Sequence, residues 1–459
     1  MKRLLSLAVP ALSGCVAPTA TEVPQRRAIA AEVANSTRAP ATFAVQAPPR
    51  VARSNTSVAA DFLDLTFRME SGRTIETFSR FEGPVRVALA GQVPASAQRD
   101  LTALLGRLRA EAGIDIAQIA SPADAGIVVQ FLPRATMKSA VPNAACFVVP
   151  RVGSWDEFRA ARGSARIDWT TLTTRTRATV FIPSDVAPQE VRDCLHEELA
   201  QALGPLNDMY HLSDSVFNDD NFNTVLTGFD MLVLRTTYAP ELRSGMTRAE
   251  VAARLPGILS RTNPAGGSVA GGGSTHTPRD WISAIETALT PRTSDSARRD
   301  AASRALAIAQ ANGWSDNRRA FSHFVFARLS MASQVEQSVI HFTEAGRFYG
   351  GLPGGTLHQA HVDMQMAAFA LTSGQYDQVL RLTERATPPM MREQNAAVLA
   401  TLKMLRAEAL AATGRTAEAN ATRLDSLGWA RYGFGSEAQA QARLSEVSNL
   451  APRRTASRN

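Results

Sequence analysis

The chain has 459 residues and a formal charge of +7, and its 45% hydrophobic content excludes a wholly disordered chain. The length exceeds one ordinary core and predicts two folded units with connectors. Lysine occurs only at Lys2, Lys138 and Lys403, so the positive charge is almost all arginine, and no basic run alternates with aromatic residues; no nucleic-acid partner is expected.

At the start, Lys2 and Arg3 precede a short apolar stretch that closes on Leu12-Ser13-Gly14-Cys15. This resembles the lipobox of bacterial lipoproteins, which implies a signal peptide over 1–15 and a lipid anchor on Cys15; an ordinary secretory signal with an incidental cysteine is the alternative. Val16 follows the cysteine where an aspartate would retain a lipoprotein in the inner membrane, so the expected location is the outer membrane of a Gram-negative bacterium, facing the periplasm. No other segment reaches the roughly 18 apolar residues that span a bilayer. Residues 16–58, rich in Ala, Pro and Thr without apolar periodicity, read as a disordered tether. With Cys15 assigned to lipid, Cys146 and Cys194 remain, and an oxidising compartment predicts that they pair; two buried free thiols are the alternative.

Residues 59–258 form the first expected unit. Strand patterns at 84–90, 125–131 and 178–182 surround a helix over 94–112, where Leu101, Leu104, Leu105 and Leu108 share one face. A second helix is expected from Pro188 to Gly204, with Val191, Leu195, Leu199 and Leu203 inward and Gly204 as its stop. The order predicts an α+β domain.

That second helix carries the most informative segment, Glu197-Glu-Leu-Ala-Gln201-Ala-Leu-Gly204-Pro-Leu-Asn207. It resembles the zinc helix of metzincin peptidases, H-E-x-x-H-x-x-G-x-x-H, with every histidine replaced. The resemblance implies that Glu197, Gln201 and Asn207 stand at the ligand positions, Glu198 at the general base and Gly204 at the turn. It extends to Asp214-Ser-Val-Phe217-Asn218, with Phe217 where the family's turn has Met, and to a closing helix over 227–238 that Thr227 and Asp230 would cap. The region 60–250 also resembles a proteobacterial lipoprotein family, domain of unknown function 2927, through an E-E-x-x-Q-x-x-G-x-x-x-D run ending at Asp208. That family implies no activity. Amide side chains are poor zinc ligands, so no metal and no cofactor are expected. Ca²⁺ on Glu197, Gln201, Asn207 and Asp208 is the oxygen-ligand alternative. His196 points away from Glu197 on the helix and, like His211, is expected to be structural.

A Gly/Ser-rich linker is expected over 259–277, a helical unit over 278–450 and a disordered tail over 451–459. Leu371-Thr-Ser-Gly374-Gln-Tyr376 resembles the helix junction of a tetratricopeptide repeat, and Leu410-Ala-Ala-Thr-Gly414 repeats the theme. Pro388-Pro389 is expected to break the helices, and Met364, Met366, Phe369 and Tyr376 to fill the core. No nucleophile elbow, P-loop or dinucleotide fingerprint occurs. The combined expectation is an envelope lipoprotein with a degenerate metzincin-like domain and a tetratricopeptide-like domain. It would act as a non-catalytic binding or scaffold protein, reaching an envelope protein partner through the helical domain. The alternative is an atypical peptidase-like hydrolase, metal-dependent or metal-independent, with Glu198 as general base.

Overall fold

A computed structural model describes residues 43, 51, 53–142, 144–269, 271, 276–290 and 293–452. The expected signal peptide with Cys15, nearly all of the tether and residues 453–459 of the tail lie outside the described residues. The chain divides into two compact units, 45–276 and 277–459, the second also taking Phe43, whose ring centroid lies 4.6 Å from that of Trp429.

In the first unit α1 (Asn55–Phe67) is followed by β1 (Val85–Gly91), α2 (Ala97–Ala112), β2 (Ile116–Gln118), β3 (Ile127–Leu132), α3 (Arg134–Ala140), β4 (Phe147–Pro150) and α4 (Trp155–Ala161). Then come β5 (Ala178–Pro183), α5 (Pro188–Leu203), α6 (Gly228–Thr237) and α7 (Arg248–Thr262). Among the described residues the strands form one sheet of order β2-β1-β3-β5-β4, parallel except for the edge strand β4, which runs antiparallel to β5. The unit is thus α/β in build, because helices cross over between parallel neighbours.

Every residue of β5 is buried, as expected of a strand covered on both faces. Val85, Val87, Ile127, Val129, Phe131, Ala178, Val180 and Ile182 alternate into the main core, which the apolar stripes of α2 and α5 complete. Phe181 faces the other way, against Trp155 and Phe158 of α4. Two strands escaped the sequence analysis because they have only three and four residues.

The unit starts before the expected residue 59. Ser54 accepts the Ser57 amide at 3.1 Å as an N-cap, and Val58, Phe62 and Leu65 of α1 are in the core. It also ends later than 258: α7 runs to Thr262, and Asn263 beyond it reaches back to Asn55 Oδ1 at 3.0 Å. The first part of the expected linker is therefore tied to the start of α1.

The second unit, among its described residues, holds helices and no strand. They are α8 (Arg279–Leu289), α9 (Asp295–Ala311), α10 (Asn317–Ser330), α11 (Val335–Tyr349), α12 (Gly355–Thr372), α13 (Tyr376–Arg392), α14 (Ala396–Ala412), α15 (Thr416–Phe434) and α16 (Glu437–Ser448). Each packs on the next. Gly374 and Gly414, at φ 71° and 84°, turn the chain between α12 and α13 and between α14 and α15. Pro388 and Pro389 do not break a helix, contrary to expectation: α13 continues through them to Arg392, although each lacks the N–H that would bond four residues back, and Pro389 and Met390 are buried there. The break falls at Gln394, at φ 56°, and Asn395 caps α14 through the Val398 amide. Met364, Met366, Phe369 and Tyr376 are only half-buried; Ala360, Ala367, Leu371 and Leu399 occupy the core instead.

Candidate functional site

The start of α5 is fixed by Pro188 at its first turn and its middle by the Cys146–Cys194 disulfide, whose Cα atoms are 6.0 Å apart. The predicted pairing is thus present, and it ties the approach to β4 to the helix one turn before Glu197 and Glu198. The far end of α5 leaves carbonyls without helical partners. Buried Arg175 supplies them: its guanidinium donates to the carbonyls of Gln201 (2.6 Å), Ala202 (2.7 Å) and Gly204, over the Trp169 ring at 4.9 Å. A cation at a helix C-terminus also opposes the helix dipole. Burial lowers the Arg175 pKa to about 10, so it stays charged at neutral pH. Tyr238 donates its hydroxyl to Leu203 O at 3.2 Å. Gly204 ends the helix with an extended φ of −167°. Its need is close approach: a Cβ there would lie 3.0 Å from Thr237 Cγ2.

Two of the positions that the metzincin resemblance makes ligands, Gln201 and Asn207, take separate hydrogen-bond partners. Asn207 turns its amide to the Asp64 carbonyl at the end of α1, at 3.1 Å. Gln201 Nε2 donates to Asp208 Oδ2 at 3.2 Å. Among the described residues no three His, Cys, Asp or Glu side chains are grouped to hold a metal ion.

What the structure does assemble is a cluster of acids. Asp193, Glu197 and Gln201 recur every fourth residue on a half-buried face of α5, and Asp208 closes that face through Gln201. Glu198 lies deeper, 5% exposed, and its Oε2 has no hydrogen-bond partner; Oδ1 of Asp208 is likewise buried without one. Burial first, then Asp193 and Glu70, raise Glu197 to about 7. Burial, then Glu197 and Glu70, push Glu198 well above the usual carboxylate range. Asp208 moves the same way through burial and the charges of Asp219, Glu197, Glu70 and Glu198. Asp193 reaches about 6 through burial, although Arg192 lies 2.6 Å away.

Both histidines have structural partners. His196 is buried and accepts the Leu226 amide at Nδ1, 3.1 Å away, while burial, with Arg192 and Arg107, drives its pKa well down. His211 Nε2 meets Asp61 Oδ1 at 2.9 Å. In the turn at 214–218, Phe217 is fully buried, and its carbonyl accepts the Met209 amide at 2.9 Å. Asp230 fixes this turn: it accepts the Val216 amide at 3.1 Å and the Thr227 amide at 2.8 Å, completing the predicted capping box of α6.

Sequence reasoning missed Arg175, Asp193, Glu70 and Asp219. Asp193 carried a usable signal, four residues before Glu197. Arg175 and Glu70 meet the helix, and Asp219 meets Asp208, only through the tertiary fold.

Residues 55–257 match the family model described as "Protein of unknown function (DUF2927)". No curated protein and no solved structure matches the chain. The family-matched segment contains the whole acidic cluster, the disulfide and Arg175, and its description names no activity.

Proposed function

We propose that the protein is an envelope lipoprotein that works as a non-catalytic binding or scaffold protein. Its first unit is read as a metzincin-like scaffold without a metal centre, and its second as a tetratricopeptide-like partner-docking array held near the outer membrane by the Cys15 lipid. The observation that carries this reading is the fate of the motif residues. Asn207 bonds to α1, Gln201 bonds to Asp208, and Glu198 is buried with its acid form favoured. A general base must be ionised and within reach of the proton it takes, and burial opposes both for Glu198. Successive helices with glycine turns support the docking role, since such stacks offer extended surfaces to proteins.

The test is elemental analysis of the purified protein together with thermal melts with and without a chelator. The reading predicts no stoichiometric metal and no chelator-induced shift. A stoichiometric metal with a chelator-sensitive melt would overturn it and put the hydrolase first.

A further inference from the structure

Around the end of α5, the basic groups are already used: Arg175 on helix carbonyls, Arg192 on Asp193. The charges acting on Glu197, Glu198 and Asp208 all come from other acids, namely Asp193, Glu70 and Asp219 and the three themselves. A buried carboxylate without a counter-charge or donor is costly, so an acid group of this kind gains most from a cation brought from outside.

The geometry narrows the cation. Metal ligation requires donors gathered around one point at roughly 2.0–2.6 Å, which the described side chains do not provide. A guanidinium is wider: its five N–H groups form a planar fork that bridges acceptors on separate residues at about 2.7–2.9 Å. It is also more weakly hydrated than an ammonium and suits a half-buried site. Oε2 of Glu198 and Oδ1 of Asp208 are buried acceptors lacking a partner, and Glu197 beside them on α5 is half-buried.

We propose that Glu197, Glu198 and Asp208 form a recognition site for a guanidinium group, such as the arginine side chain of a polypeptide partner. The inference rests on the non-catalytic, metal-free reading and adds the chemistry of the ligand. Binding stabilises the ionised carboxylates, so it is accompanied by proton release. The groups that share this titration are Glu70 and Asp219 beside the cluster, and Asp193 with its neighbour Arg192 on α5.

The experiment is calorimetric titration of the full protein with the end-blocked peptide Ala-Ala-Arg-Ala-Ala, its citrulline counterpart, N-acetyl-arginine amide and Ca²⁺ alone. The arginine peptide is expected to bind at least tenfold tighter than the citrulline peptide, with proton release seen as a dependence of heat on buffer. Glu198→Gln and Asp208→Asn should each weaken it at least tenfold with no fall in melting temperature. If N-acetyl-arginine amide matches the peptide, a free ligand is the source and the proposal stands. Equal affinity for arginine and citrulline, or no binding by folded protein, overturns it. So does stoichiometric Ca²⁺ uptake that Glu198→Gln abolishes. A metal-free protein that fails to distinguish arginine from citrulline removes this inference alone, whereas a purified protein carrying stoichiometric metal removes the reading beneath it.

Discussion

Replacing Glu197 by Gln removes a charge that the folded protein resists. Glu197 titrates near 7 against 4.5 for an ordinary glutamate, mainly because the fold buries it and secondarily because Asp193 and Glu70 repel its charge. Between those two values the native state binds more protons than the unfolded state, so stability falls as pH rises from about 4.5 to about 7 and is level above that. The gap, at about 1.36 kcal/mol per pH unit, sets an upper limit of roughly 3 kcal/mol on this loss. Glu197→Gln cannot ionise. At pH 8 it should be more stable than the wild type by about 1–3 kcal/mol, and at pH 4 the two should coincide. Urea unfolding at both pH values, read through hydrogen exchange of the β3 and β5 amides, separates this unit from the helical one. Glu198→Gln should move the same way. A wild-type-to-variant difference that is the same at both pH values, or a variant less stable at pH 8, would refute the reasoning and make Glu197 an ordinary hydrogen-bonded residue.

Arg175→Ala strips donors from three carbonyls at the end of α5 and should destabilise the first unit by about 3–5 kcal/mol in the same unfolding assay. Cys146→Ser with Cys194→Ser opens a bridge with a sequence separation of 48 and should lower stability by roughly 3–4 kcal/mol; a chemically reduced wild type should behave alike. Asn207→Ala loses its bond to the Asp64 carbonyl, costing about 1 kcal/mol, and leaves metal content unchanged by elemental analysis.

The parts of the fold that were legible in the sequence are those with local period. The leucines of α2, the apolar runs of β1, β3 and β5, and the Pro188-to-Gly204 helix all announce themselves within a few residues. So does the Thr227 and Asp230 capping box. The short strands β2 and β4 carry too few residues for a pattern. The start of α1 was hidden because Ser54 closes a tether-like composition, and only its Oγ bond to the Ser57 amide marks the boundary. Pro388 and Pro389 misled for the opposite reason: a strong local signal did not stop α13, which runs on to Arg392 with Pro389 and Met390 buried. At the site, Glu197, Glu198, Gln201 and Asp208 were readable as a motif. Their chemistry was not, because it depends on Glu70, Asp219 and Arg175, which are distant in the chain.

The surroundings of α5 make the acidic cluster hard to ascribe to folding alone. His196 takes an amide, Asp230 takes two, Arg175 satisfies three carbonyls and Tyr238 a fourth. Against that background Glu198 Oε2 and Asp208 Oδ1 are buried acceptors without a donor. Amide side chains of the same length would keep the packing and end the repulsion, so stability by itself favours Gln and Asn at these positions. Carboxyls that lower the stability of the free protein become favourable once a cation enters among them, since the same low-dielectric surroundings that raise their pKa then strengthen the attraction. A ligand that binds only the folded state would return that stability in proportion to its concentration. The expected signature is therefore a melting temperature that rises with an arginine peptide in the wild type and stays flat in Glu198→Gln, with the citrulline peptide inert in both.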